Sequence, residues 1–201
     1  MTNQSSIHHA NIAWYSWNEY GHRTQSISRV RVGVVIMGLN NITGNTYSDE
    51  WYTDAETAAL AISLLAMPEK SSVMLPFDGE SSQFRIQLEA AGHSVIYGVR
   101  DWLESEYQYD YLITNPPFSL KDKVIEKVLR DGRKSTLILP LDALGGVKRH
   151  EMYREFNYPH IYIPTRRIAY FDEYGVKRQG ASFHSVIMTF NSEKSGEITW
   201  E

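Results

Sequence analysis

The chain has 201 residues, of which 42% are hydrophobic and 22% charged, and its formal net charge is −4. This length fits one domain with a substantial core. The sequence contains no cysteine, which excludes disulfides, thiolate zinc sites and thiol catalysis. Apolar runs are too short to span a membrane, and residues 1–6 lack a signal-peptide pattern. We therefore expect a cytoplasmic protein with no membrane partner.

Residues 1–48 predict an N-terminal arm that is partly irregular, since residues 1–28 show no clear periodicity. The apolar stretch at 30–37 predicts a strand within it. The neighbouring pair His8 and His9 has no partner ligands at useful spacing, so no metal site is predicted. Residues 49–201 are predicted to form the main domain.

Apolar residues follow helical spacing from Ala58 to Ala66, and Thr53 or Asp54 can cap this helix before Pro68 ends the pattern. Further strands are predicted at 73–75, 93–98, 109–114, 136–140, 161–164 and 183–190. Further helices are predicted at 82–92 and 121–129. A flexible basic loop is expected at 144–150, and a hairpin or loop at 172–175.

Charge is distributed unevenly along the chain. Residues 1–120 contain 6 Lys/Arg and 13 Asp/Glu, whereas residues 121–178 contain 13 Lys/Arg and 8 Asp/Glu. A nucleic-acid-binding protein needs a local basic face and not a basic total. The basic stretch indicates such a face, although a solvated surface of mixed charge would give the same counts.

The strand predicted at 109–114 is followed by Asn115, Pro116, Pro117 and Phe118. The two prolines lack an N–H and fix φ, so they end the strand in a stiff turn. Open α/β sheets bind ligands at this end of their strands. The Asn115 side-chain oxygen and the Pro116 carbonyl can each accept an N–H of an exocyclic amine, while Phe118 can stack on the ring. The alternative is an ordinary turn beside a core phenylalanine.

Asn115-Pro116-Pro117-Phe118 resembles motif IV of the amino-group methyltransferases that use S-adenosylmethionine, in the form typical of N6-adenine DNA methyltransferases. The resemblance implies that these four residues are catalytic. It also implies direct methyl transfer to an adenine flipped out of duplex DNA, which is then the partner. The stretch Pro76-Phe77-Asp78, with Ser82 and Phe84, resembles a form seen in small phage and prophage adenine methyltransferases, which implies a bacterial or phage-encoded protein in the cytoplasm.

Three other segments resemble the cofactor motifs of this family. Residues 51–54 match the segment that contacts the methionine end, with Asp54 where proline is usual. Residues 76–82 stand at the position of motif I without its usual Phe-x-Gly-x-Gly pattern. Asp101 and Trp102 match the pair that holds the cofactor's adenine, although Asp101 could equally cap a helix. The cofactor-binding residues implied are Trp51, Thr53, Pro76, Phe77, Asp78, Gly79, Ser82, Asp101, Trp102 and Asn115.

The resemblance covers residues 49–190 and implies a Rossmann-like class I methyltransferase of the α/β class. Its sheet would have seven mostly parallel strands, one of them antiparallel, with helices on both faces. A separate target-recognition domain is not evident. Base readout would then come from the loops at 141–155 and 165–180, from the N-terminal arm or from a second subunit. The candidate nucleic-acid contacts are Lys121, Lys148, Arg149, Arg166, Arg167, Lys177 and Arg178.

Other functions are compatible with the same residues. Adenine in RNA and the glutamine amide of a protein are alternative substrates, because similar chemistry serves each. A non-catalytic protein of this fold, binding nucleic acid or a host defence protein, is an alternative of a different class. The divergent residues 76–82 motivate it, whereas the intact Asn115 to Phe118 segment opposes it.

Overall fold

The computed structural model describes residues 11–17, 23–29, 51–172, 174–177 and 184–200. The chain divides into two compact units, Met1–Leu39 and Asn40–Glu201. In the first unit, β1 (Asn11–Trp17) and β2 (Arg23–Arg29) form an antiparallel hairpin. The strand predicted at 30–37 lies outside the described residues.

The second unit alternates strands and helices. Its strands are β3 (Tyr52–Thr53), β4 (Ser72–Leu75), β5 (Ser94–Tyr97), β6 (Tyr111–Thr114), β7 (Ser135–Pro140), β8 (His160–Ile163), β9 (Tyr170–Phe171), β10 (Ser185–Phe190) and β11 (Ile198–Trp200). Its helices are α1 (Ala55–Leu65), α2 (Gln83–Ala90), α3 (Lys121–Asp131) and α4 (Val147–Glu155). Within the described residues, no helix is long and apolar enough to cross a membrane.

Seven of these strands form one sheet in the order β11-β8-β10-β7-β6-β4-β5. Strand β10 is antiparallel to both neighbours, β7 and β8, and the other pairs are parallel. The sheet is therefore Rossmann-like, with mostly parallel strands and one antiparallel strand, which confirms the predicted α/β fold class. The carboxyl ends of β4, β5 and β6 lie side by side at one edge of this sheet, where such folds bind ligands.

Helices cover both faces of the sheet. Alternate residues of each strand point to opposite faces, so one strand contributes to the packing on both sides. On one face, Val73 and Leu75 pack in a cluster with α1 and α2 residues such as Ala61 and Phe84. On the other face, Met74 and Leu112 pack with residues of α3 such as Val128. These two apolar layers fix the central strands, and with them the loops at their carboxyl ends.

The boundaries of α1 follow the predicted cap. The Asp54 carboxylate accepts hydrogen bonds from the Thr57 backbone N–H at 2.8 Å and from its hydroxyl at 3.0 Å. This satisfies a donor of the first turn that would otherwise be unpaired. The helix ends at Leu65, and Ala66 adopts the left-handed conformation with φ of 47°.

The prediction of a flexible loop at 144–150 was wrong, because α4 begins at Val147. This helix lacks an apolar stripe, so its sequence gives no periodic signal, and Tyr153 is its buried residue. The Tyr153 hydroxyl donates to the Ala143 carbonyl at 3.0 Å, and Arg149 donates to the Asp142 carbonyl at 3.0 Å. Hydrogen bonds to the preceding turn thus stabilise a helix that local sequence does not reveal.

The interior strand β6 should be sensitive to a loss of packing. Leu112 is fully buried, so Leu112→Ala should lower the free energy of unfolding by about 2–5 kcal/mol, because it removes buried apolar atoms and leaves a cavity. Leu141→Ala is the matched control, because Leu141 is 43% exposed and its truncation should cost much less. Urea denaturation of both variants measures the difference, and equal destabilisation would contradict the two-layer core.

Candidate active site

The loop after β6 carries the central residue of the site. Asn115 is 4% exposed and directly follows Thr114, the last residue of β6. Pro116 and Pro117 are buried, and half-buried Phe118 begins a 3-10 helix at Phe118–Leu120. The loop therefore has a fixed course, with the amide and the aromatic ring on either side of the two prolines.

The two atoms of the Asn115 amide have different surroundings. Nδ2 donates a hydrogen bond to the backbone carbonyl of Trp51. A carbonyl can only accept, so it determines which amide atom faces it and directs Oδ1 the other way. Among the described residues, Oδ1 is buried and has no hydrogen-bond partner. An unpaired buried acceptor costs about 1–3 kcal/mol, which calls for an explanation in function or in a bound group.

Three aromatic rings pack together in the segments that contact or follow this amide. The ring of Tyr170 packs edge-to-face with Phe118 at a centroid distance of 6.1 Å, and with Trp51 at 6.4 Å. Such edge-to-face pairs are favourable for aromatic rings. The Tyr170 hydroxyl donates to Ser185 Oγ at 2.5 Å, and burial raises the pKa of Tyr170 well above its ordinary value. Tyr170 thus joins the two rings as a neutral, fixed side chain.

Sequence reasoning did not assign a role to Tyr170, and the reason lies in the small sheet β3–β9. Thr53 pairs with Tyr170 and Tyr52 pairs with Phe171 across this antiparallel pair, although more than 100 residues separate them in the chain. A two-residue strand gives no periodic signal, so only the tertiary pairing shows that Tyr170 lies beside Trp51 and Phe118.

The loop after β4 contacts the end of β6 through Asp78. This carboxylate is 4% exposed; Oδ1 accepts from the Ser82 hydroxyl and Oδ2 from the Thr114 hydroxyl, each at 2.7 Å. Pro76 is buried, and Phe77 is 2% exposed in the core. Of the residues predicted at 76–82, Asp78 and Ser82 therefore shape the loop from inside.

Gly79 brings the same loop against the segment before α1. A Cβ atom at position 79 would lie 2.9 Å from the Tyr52 hydroxyl oxygen, closer than real Cβ contacts allow. Only glycine lets the Tyr52 side chain lie here without a shift. Gly79, Tyr52 and its neighbours Trp51 and Thr53 are thus brought together with Asn115, and the cofactor-binding role of Trp51, Thr53 and Gly79 stays a prediction.

Asp101 and Trp102 have other surroundings. Trp102 is 0% exposed and packs edge-to-face on Phe77 at 6.2 Å. The Asp101 carboxylate accepts hydrogen bonds from Tyr107 and Ser105, which lower its pKa. Their role in holding the cofactor's adenine stays a prediction, and it is not favoured by an indole whose surface is entirely covered by the core.

The basic residues predicted to contact nucleic acid fall into two groups. Three form ion pairs: Lys121 with Asp142 at 3.4 Å, Arg149 with Asp122 at 3.5 Å, and Arg166 with Glu56 and Asp54. Lys148 and Lys177 form the second group and are exposed, and Arg167 is exposed as well but has an interaction partner of its own. Arg178 lies outside the described residues. The second group therefore presents its charge at the surface, where a polyanion can reach it.

Comparison with known proteins gives a likeness in shape alone. No protein-family model matches the chain, and no curated protein matches it. The solved structure of the 23S rRNA methyltransferase ErmE is similar, with a TM-score of 0.47 and 12% sequence identity over 69% of this chain and 68% of that one. At this score the similarity has no bearing on the substrate of this chain.

The contact between Gly79 and Tyr52 can be tested by a double-mutant cycle. Gly79→Ala should lower the free energy of unfolding by about 1–3 kcal/mol, because the new methyl group overlaps the Tyr52 hydroxyl. In a Tyr52→Phe background the same substitution should cost less, since the next ring atom lies 3.7 Å away. Chemical denaturation of the four proteins measures the coupling, and additive effects would show that the two residues do not touch.

Proposed function

We propose that the chain is an S-adenosylmethionine-dependent methyltransferase that transfers a methyl group to the N6 amine of adenine in DNA. The observation that supports this proposal best is the buried Asn115 Oδ1, which has no hydrogen-bond partner among the described residues, in the same short loop as the half-buried Phe118. An acceptor without a donor and an aromatic ring in one loop suit a flat ring that carries an N–H group.

The residues of the loop after β6 would bind and orient the amine. Asn115 Oδ1 accepts one N–H, the Pro116 carbonyl accepts the other, and Phe118 stacks on the base. Holding both N–H bonds in this way leaves the nitrogen lone pair directed out of the ring plane. That lone pair would then be available to the methyl group that S-adenosylmethionine would supply, and the extra proton of the amine would leave to solvent.

S-adenosylmethionine would supply the electrophile, a methyl group on a positively charged sulfur. Residues that would hold such a ligand follow the carboxyl ends of β4 and β5, and Gly98, directly after β5, places no side chain there. Trp51, Thr53 and the loop from Pro76 to Gly79 would hold it. Asn115 directly follows β6, the strand next to β4, at the same edge of the sheet, so amine and cofactor would meet there.

Positioning would provide much of the rate enhancement. Fixing two reactants in line can contribute about 7–11 kcal/mol, and flipping a base out of a duplex costs about a few kcal/mol. The rigid course of the loop through Pro116 and Pro117, together with the bond from Asn115 to Trp51, serves this purpose because the acceptor does not reorganise when the base arrives.

Nucleic acid is the substrate class that the surface favours. Exposed Lys148 follows the carboxyl end of β7. Exposed Arg167 and Lys177 lie in the connection from β8 to β10. These residues therefore follow strands whose carboxyl ends lie at the same edge of the sheet as Asn115. Phosphate contacts by such residues position a nucleic acid without reading its sequence. Base readout would come from α4, from the turn at 172–177 or from a second subunit.

Substitutions in the loop test the proposed chemistry. Asn115→Ala removes the amine acceptor and Phe118→Ala removes the stacking surface, so each should reduce methyl transfer by at least about 100-fold. The assay incubates tritiated S-adenosylmethionine with duplex DNA, RNA or protein and identifies the methylated nucleoside or residue. Thermal melting should show both variants folded.

The controls separate the alternatives. Methylated adenosine from RNA, or methylated glutamine, would correct the substrate and retain the chemistry. Unchanged transfer in both variants would contradict the site. If wild-type protein transfers no methyl group and calorimetry detects no S-adenosylmethionine binding, the chain is instead a non-catalytic binding protein of this fold.

The exposed basic residues test the nucleic-acid surface. Removing Lys148, Arg167 and Lys177 together should weaken DNA binding and reduce the slope of log K against log salt by about 0.9 for each phosphate that is no longer neutralised. Lys70→Ala is the control, because Lys70 is exposed but precedes β4 and so lies at the opposite edge of the sheet. Fluorescence anisotropy at several salt concentrations gives both slopes, and equal effects would refute this surface.

A further inference from the structure

The buried carboxylate of Asp78 joins two loops that come from different strands. Its two oxygens accept from Ser82 and Thr114, which are 1% and 0% exposed. Hydrogen bonds to an ionised oxygen are stronger than neutral ones, and a buried carboxylate is costly without such donors. The Asp78 side chain is therefore a strong link between the loop after β4 and the last residue of β6.

This link belongs to a closed series of contacts. Thr114 precedes Asn115, whose amide donates to the carbonyl of Trp51. Tyr52 follows Trp51 and lies against Gly79, the residue after Asp78. The series thus begins and ends at the loop after β4. A displacement of this loop can therefore reach Asn115 by two routes. One route passes through Thr114, and the other passes through the segment before α1.

We propose that Asp78 is a positioning residue that couples the cofactor loop to Asn115, through the Thr114 hydroxyl. This inference rests on the proposed function. A ligand that orders the loop from Pro76 to Gly79 fixes Asp78, which fixes Thr114 and hence the amide that accepts the amine. Binding of cofactor and of base is then linked, and the linkage is reciprocal because it is a free energy shared between two sites.

The chain offers a matched pair of threonines for the test. Thr114→Val removes the hydroxyl that binds Asp78, and Thr136→Val removes an equally buried hydroxyl that hydrogen-bonds Thr189 at 3.1 Å between β7 and β10. Both variants should melt at lower temperature. Only Thr114→Val should also lower kcat, by about 10- to 100-fold, because a small misplacement of a reacting group has effects of this size.

Two conservative variants sharpen the assignment. Thr114→Ser keeps the hydroxyl and should restore kcat to near the wild-type value. Asp78→Asn keeps the shape and one acceptor oxygen, so its kcat should fall less than that of Asp78→Ala. A purely structural role would change the melting temperatures of these variants without separating their kcat values, and equal kcat for Thr114→Val and Thr136→Val would overturn the inference.

Hydrogen exchange distinguishes failure of this inference from failure of the proposed function. In wild-type protein, S-adenosylmethionine should slow amide exchange in residues 111–120, and Thr114→Val should abolish that effect while calorimetry still detects cofactor binding. Active wild-type enzyme without this transmitted protection overturns the coupling alone. Protein that binds cofactor and shows the protection, yet methylates nothing, retains the coupling and loses the function. Absence of cofactor binding overturns both.

Discussion

The hydrogen bond from Asn115 Nδ2 to the carbonyl of Trp51 is the contact on which the candidate site depends. It sets the orientation of an amide that would otherwise rotate freely between two similar states. Because Nδ2 is already hydrogen-bonded, Oδ1 is the amide atom that remains for a ligand. Oδ1 is buried, and none of the residues that the structure describes donates a hydrogen bond to it. A single backbone acceptor from another segment thus converts an ordinary asparagine into an oriented acceptor.

The rest of the second unit keeps that acceptor in place. Two apolar layers hold β6 between β7 and β4 in the sheet, so Thr114 and Asn115 leave the core at a defined point. The small sheet β3–β9 adds Tyr170, which packs on the rings of Trp51 and Phe118. The Asp78 carboxylate ties the neighbouring loop to the end of β6. Packing, backbone pairing and buried polar contacts therefore act on the same few residues.

The positive charge that the surface presents to a polyanion is smaller than the count of basic residues indicates. Acidic partners hold Lys121, Arg149 and Arg166, and the last of these ion pairs also lies over the first turn of α1, where Asp54 caps the helix. Exposed ion pairs of this kind contribute little to stability, but they reduce the positive charge that a polyanion meets. The exposed basic residues that follow strand ends are therefore the better candidates for phosphate contacts.

Local sequence is sufficient to predict the order of strands and helices from α1 to β7, the cap at Asp54 and the loop from Asn115 to Phe118, because each depends on short-range spacing or on the special geometry of proline. Contacts between distant segments are visible only in the folded chain. Folding pairs Tyr170 with Thr53, forms α4 without an apolar stripe, and buries Trp102 fully in the core. These outcomes follow from packing and hydrogen bonds over long sequence separations, which leave no periodic trace in the chain. The partners of Asn115 and Asp78 belong to this second group, and they give the predicted motif its geometry.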